Sequence, residues 1–304
     1  MPPELLQIGE QIAFDPKQFI GIPIALVGAV FLSLGAQFQH RGVAKVEARI
    51  GEVESGLNAK QMMALLARPS WVVGTLMLGL AVVFQLTSLG FSPIIVVQPL
   101  GAVALVITAV LNSRISKVKL NRSSVISIVL CVGGVGLFVL VAAFTAVDKP
   151  VTAADLAVIL IVLAVVLVIL SVLFLTFRKT FKALMYIVGA GVLYGFVATL
   201  AKVIISRLFQ SQFDGLTILA VVGLLAAFAL GGYFVQNAYA SGPPDLVIAG
   251  LTVIDPLVAV AIGITVLGEA SQAPLWALFA YLAFGLVAIL GVFGLARYHP
   301  QAQR

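Results

Sequence analysis

Asp255 is the residue with the most chemistry to offer. It lies well inside a long apolar run and is followed directly by Pro256. A carboxyl group among apolar side chains is costly unless a cation, a proton or a hydrogen-bond donor meets it, so such groups mark ion and substrate paths. Pro256 has no backbone N–H, which frees a carbonyl one turn earlier as a further oxygen ligand. The triplet Gln98-Pro99-Leu100 repeats the Asp255-Pro256-Leu257 pattern with a carboxamide in place of the acid. Pro99 and Pro256 are therefore read as helix breaks that bring Gln98 and Asp255 toward one site. Gln37, Gln85, Gln236 and Asn237 each add a donor and an acceptor; they either line an aqueous path or bond one helix to another. Lys202 either snorkels to the interface or turns inward toward Asp255 or an anionic substrate. Tyr194 offers a ring to a cationic or aromatic ligand, or anchors its helix at the interface. Glu269 is placed at an outer mouth, with a solvated acid as the plain alternative. His40 and His299 have no ligand partners near them in sequence, and no metal is assigned. No dinucleotide fingerprint, Walker loop, HExxH or catalytic Ser or Cys arrangement is present, which excludes ATP hydrolysis, implies no cofactor and gives no support to an enzyme.

These residues must be positioned by an unusual set of elements. Of the 304 residues, 62% are hydrophobic and 10% charged, against roughly half and a quarter in soluble domains. The apolar residues gather into continuous runs long enough to cross the hydrocarbon core as helices. They do not alternate, which excludes a membrane barrel. The expected fold is an all-α polytopic membrane protein. Nine spans are expected, at 19–40, 70–90, 93–113, 123–144, 154–177, 183–207, 216–239, 246–268 and 273–296, with a tight turn at Ser92-Pro93. The lone Cys131 falls mid-span, where it is a small buried apolar side chain.

Loop charge sets the expected orientation. Arg41, Lys45, Arg49, Lys60, Arg68, Arg114, Lys117, Lys119, Arg122, Arg178, Lys179, Lys182, Arg297 and Arg304 all fall on one side, whereas Lys17, Lys149, Lys202 and Arg207 lie at or toward the other. The positive-inside rule then puts the N-terminus outside and the C-terminus in the cytoplasm. The net charge of +6 is absorbed by these loops and does not imply a nucleic-acid partner. The organisation expected is an extracytoplasmic segment 1–18, a first repeat 19–144 with the cytoplasmic loop 41–69, an external linker 145–153, a second repeat 154–296 and a cytoplasmic tail 297–304. Glu4, Glu10 and Asp15 argue against a removable signal peptide. The loop 41–69 is read as a surface segment, with an interfacial helix through Met62, Met63, Leu65 and Leu66.

The two halves echo each other. Val27-Gly28-Ala29 matches Val188-Gly189-Ala190, and the Gln98 and Asp255 triplets follow in the same order. Asn112 and Glu269 each come 13 residues after their proline, and Gln85 and Gln236 precede these units. Because the Pro99 and Pro256 spans run in opposite senses, the repeats are inverted, the arrangement that gives many secondary transporters alternating access to a midplane site.

The stretch Trp71 to Ser113 carries a resemblance. It has a Trp-led helix with Gly74 and Gly79, a polar residue at Gln85, a turn at Pro93 and the Pro99-Leu100-Gly101 triplet. His40-Arg41-Gly42, the Gln236-Asn237 helix and Leu267-Gly268-Glu269 add to it. This pattern resembles the drug/metabolite transporter superfamily, and within it the NIPA-type magnesium transporter branch. The resemblance implies nine helices in two inverted repeats and a secondary transporter. It also implies a cation, Mg²⁺ included, as the solute. The position where the family carries a glutamate is Val82 here. The expected partners are a small solute or cation and the lipid bilayer, with a second copy of the chain as a further candidate, in a bacterial cytoplasmic membrane. Two other readings stand beside cation transport: export of a small organic metabolite or amphiphile, and a non-transporting scaffold or lipid-handling protein.

Overall fold

A bilayer offers no water to the backbone, so each apolar run must pair its own N–H and C=O groups. The chain does this with nine helices among the described residues. They are α1 (Gln18–Ile50), α2 (Pro69–Phe91), α3 (Ile94–Ser116), α4 (Arg122–Thr145), α5 (Ala153–Phe177), α6 (Ala183–Phe209), α7 (Gly215–Ser241), α8 (Pro244–Thr265) and α9 (Leu275–Tyr298). Each is long and apolar enough to cross a membrane. The computed structural model describes residues 18–50, 65–116, 121–177, 183–242 and 244–298. The N-terminal segment 1–17, residues 51–64 of the expected surface segment, the basic residues Lys117, Lys119, Arg178, Lys179 and Lys182, and the tail from His299 lie outside it.

The first span, Phe19–Val43, lies where expected, and its helix continues beyond it to Ile50. One expectation is corrected: the helices do not break at Pro99 and Pro256, and both prolines lie inside uninterrupted helices. Membrane helices tolerate proline because neighbouring groups take over the freed polar atoms. The true interruption in the first half is Ser92-Pro93, which separates α2 from α3.

Helix packing follows the sequence echo. α1 packs on α2 and α3, and α3 on α4; α6 packs on α7 and α8, and α8 on α9. The halves meet where α4 faces α9, α3 faces α8 and α2 faces α6, while α5 lies to the side against α6 and α7. The matched helices run in opposite senses. Gly263, late in α8, abuts Ile94 at the start of α3. Gly21, early in α1, and Lys202, late in α6, both reach Ser92. The helix ends are paired locally: the Asn121 side chain accepts the Ser124 N–H, the Asp214 side chain accepts the Thr217 N–H, and Thr152 and Asp155 cap each other. Side chains such as Ile161, Val165, Val168 and Val172 on α5 are exposed, as a lipid-facing helix requires.

The α4–α9 seam depends on the absence of side chains. A Cβ on Gly291 would stand 2.3 Å from the Cys131 nitrogen, and one on Gly134 would stand 2.5 Å from that of Ala288. Backbones at that separation pack through small residues. A Cβ on Gly133, next in sequence to Gly134, would meet nothing within 4 Å. Gly291→Val is therefore expected to lower stability by about 1–3 kcal/mol or more through overpacking, whereas Gly133→Ala leaves it unchanged. Thermal unfolding of the two purified variants in detergent checks this; equal midpoints would contradict the seam.

Candidate functional site

The candidate site is built around Asp255, and two glycines put it there. Cβ atoms at Gly191 and Gly195 of α6 would lie 2.6 Å from Ile254 Cβ and Val258 Cβ of α8, and the Gly195 position is 3.0 Å from the Asp255 carbonyl oxygen. α8 is thus pressed into a groove on α6 at the turn that carries the acid. The Asp255 Oδ1 atom is buried and has no hydrogen-bond partner among the described residues. Tyr194 stands between the two groove glycines in sequence and is close enough to feel the Asp255 charge and the Tyr239 hydroxyl. Its ring rests on the Gly231 step of α7. Pro256 leaves the Thr252 carbonyl without its i+4 donor, so two oxygen acceptors on one turn of α8 lack a helical N–H. A buried acceptor with no donor calls for a proton or a cation.

A second cluster lies at the α2–α3 turn. Ser92 and Pro93 are buried, and Ile94 to Val97 are fully enclosed, so the first N–H groups of α3 cannot reach water. The N–H groups of Val96 and Val97 bond to the Pro93 carbonyl. The two remaining, on Ile94 and Ile95, donate to Glu269 Oε1 and Oε2, each at 2.8 Å. A carboxylate there meets both the orphan donors and the positive end of the helix dipole. The chain reaches this spot because Gly268 adopts φ 66°, a left-handed turn that glycine enters without strain. Glu269 is fixed further by its N–H to the Gly263 carbonyl and by its own carbonyl, which accepts from Val147 N–H. Beside it, Lys202 is 1% exposed; its Nζ donates to the Ser92 carbonyl at 3.0 Å and pairs with Asp148 Oδ2 at 2.8 Å. Burial pushes the Glu269 carboxyl up to about 7, against the pull of the Ile95 and Ile94 N–H groups and of Lys202.

Glu269 is therefore no solvated acid, and Lys202 neither snorkels nor pairs with Asp255. The other expected residues are spread through the bundle. Gln98 is buried on α3, one turn below Ile94. Gln37 Nε2 donates to Asn112 Oδ1, joining α1 to α3. Asn237 donates to the Tyr233 carbonyl of its own helix at 2.7 Å. Gln85 is half-buried and Gln236 exposed. Asp148 and Ser92 were missed. The signal for both was available: a two-residue helix break at Ser92-Pro93 needs a buried acceptor, and a buried lysine needs an acid.

The proton affinity of Glu269 gives a signed expectation. Its folded value is above the ordinary 4.5, so the folded chain holds a proton that the unfolded chain releases. Stability should fall as pH rises from about 4.5 to about 7 and then level off. In Glu269→Gln the slope in this window should flatten. Thermal midpoints between pH 4.5 and 8 check the sign; a midpoint that rises across the window would contradict it.

Three comparisons bear on this chain. Residues 16–177 match the family described as Magnesium transporter NIPA. An uncharacterized protein of Corynebacterium glutamicum is 25% identical over 92% of this chain and 96% of its own length. The protein named Probable magnesium transporter NIPA1 of Arabidopsis thaliana is 28% identical over 41% of this chain, and Probable magnesium transporter NIPA4 is 30% identical over 40%. The chain spans about a third of the length of these two plant relatives, 36% and 34%. No solved structure matches. With nine helices able to span a membrane among the described residues and a family match over half its length, the chain is a multi-pass membrane protein that belongs to the NIPA magnesium transporter family.

Proposed function

We propose that the chain is a secondary transporter that carries a cation, Mg²⁺ foremost, across the bacterial cytoplasmic membrane by alternating access. The N-terminus lies outside and the C-terminus in the cytoplasm. The first half, α1 to α4, and the second, α6 to α9, rock against each other around Asp255. The observation that carries this reading is the buried Asp255 Oδ1 with no hydrogen-bond partner among the described residues, on the same turn of α8 as the Thr252 carbonyl, to which Pro256 offers no N–H. Mg²⁺ keeps several of its waters and is held by one or two carboxylates, so one acid with neighbouring oxygens suits a partly hydrated ion. Tyr194 contributes a hydroxyl from α6. Gln98 and Gln85 extend the path on the α2–α3 side, Gln37 lies toward the other end, and Gln236 and Asn237 sit on α7. Lys202 acts at the end of the path and not at the cation.

Export of a small organic solute is the second reading. It draws on Val82, which stands where the family carries a glutamate, and on the absence, among the described residues, of any group of three or more His, Cys, Asp or Glu that could hold an ion directly. A thermal-shift titration separates the two: Mg²⁺ stabilises the native chain in detergent if it binds, and leaves the midpoint unmoved if the cargo is organic.

Two variants test the role of Asp255. In proteoliposomes, Asp255→Asn should lose about tenfold or more of Mg²⁺ flux, because a neutral amide cannot replace the carboxylate charge at that depth. Tyr194→Phe should reduce it only about two- to fivefold, the loss of one hydrogen bond. Unchanged flux in Asp255→Asn would remove Asp255 from the pathway.

A further inference from the structure

The polar cluster at the α2–α3 turn ties together parts of the chain that must separate if the two halves rock. Ile94 and Ile95 open α3, in the first half. Lys202 belongs to α6 and Glu269 to the α8–α9 loop, both in the second half. Asp148 lies in the linker before α5. Two Glu269 bonds and one Lys202 bond therefore cross from one half to the other. At the other end of α3, Asn112 holds the place equivalent to Glu269 in the repeat. It receives Gln37 from α1, so this neutral bond stays within the first half. The charged closure across the halves is at the Glu269 mouth.

We propose that Glu269, with the Lys202–Asp148 pair, is the gate of this mouth: its carboxylate, seated on the first turn of α3, holds the mouth shut, and withdrawal of Glu269 from Ile94 and Ile95 opens it. The inference rests on the alternating-access reading. Charge suits a gate. Lys202 and Glu269 are buried, and removing the partner of a buried charge is strongly destabilising because that charge is left uncompensated. Parting both partners into a water-filled mouth returns each to full hydration, so the net worth of the contact is small. The mouth can then open without the full desolvation penalty. Gly263 supports this, because a Cβ there would lie 2.8 Å from Glu269 Oε2, so the carboxylate lies directly against the last turn of α8.

The test reads thiol accessibility, which needs no transport. In a Cys131→Ala background, a single cysteine is placed by Gln98→Cys, one turn beneath the gate, or by Gln37→Cys, toward the opposite end. Labelling by a soluble maleimide is timed on purified protein in detergent. Glu269→Gln keeps the side-chain shape but offers one acceptor where α3 presents two donors. It should raise labelling of the Gln98→Cys thiol about tenfold, the shift expected when a minor open state becomes the main one. Labelling of the Gln37→Cys thiol should stay level or slow. An unchanged rate at Gln98→Cys, or an equal rise at both thiols, overturns the gate; the latter would mean general loosening. If Glu269→Gln does not elute as a single species, Asp148→Asn decides: a faster Gln98→Cys thiol supports the gate and an unchanged one overturns it. Mg²⁺ flux with flat labelling counts against the gate alone. The expected labelling without flux counts against the transport reading alone.

Discussion

The bond pair from Ile94 and Ile95 to Glu269 is the interaction on which the arrangement of the halves depends. α2 and α3 are separated by only two residues, both buried, so the start of α3 is sealed from water. A helix start in that position has donors that must be satisfied; the Pro93 carbonyl serves Val96 and Val97. The missing acceptors come from a loop far along the chain. This ties α3 to the end of α8, and with it the first half to the second. Lys202 then takes the Ser92 carbonyl left at the end of α2, and Asp148 balances the lysine charge. One short turn thereby recruits three ionisable groups.

The site at Asp255 obeys the opposite logic. Here the protein leaves an acceptor unmatched. The groove formed by Gly191 and Gly195 fixes α8 against α6 without offering a donor to Oδ1. In the first half the equivalent residue is Gln98, a carboxamide that carries its own N–H donors.

Much of the fold was legible because the bilayer imposes strong rules. Continuous apolar runs gave the spans, and the echo of the Gly28 and Pro99 regions in Gly189 and Pro256 anticipated which helices pack alike. The α1 extension to Ile50 was less visible, since charge at Lys45, Glu47 and Arg49 argues against a span but not against a helix that leaves the membrane. The prolines misled. Pro99 and Pro256 are compatible with continuous helices, because the cost of a missing N–H depends on what surrounds the freed carbonyl. Of the site, Asp255 stood out through burial in an apolar run. The Glu269–Lys202–Asp148 cluster did not, because each member lies near a helix end where solvent is the ordinary neighbour. Only the packing of α3 against α8 makes the Glu269 and Lys202 positions dry, while Asp148 stays exposed.

In the proposed transport cycle a cation meets the Asp255 carboxylate. Infrared difference spectra of the purified chain with and without Mg²⁺ test it most directly. Carboxylate stretching bands should shift on adding Mg²⁺, and the shift should be lost in Asp255→Asn. A spectrum in which Mg²⁺ leaves the carboxyl and carboxylate bands of the native chain unchanged would contradict it.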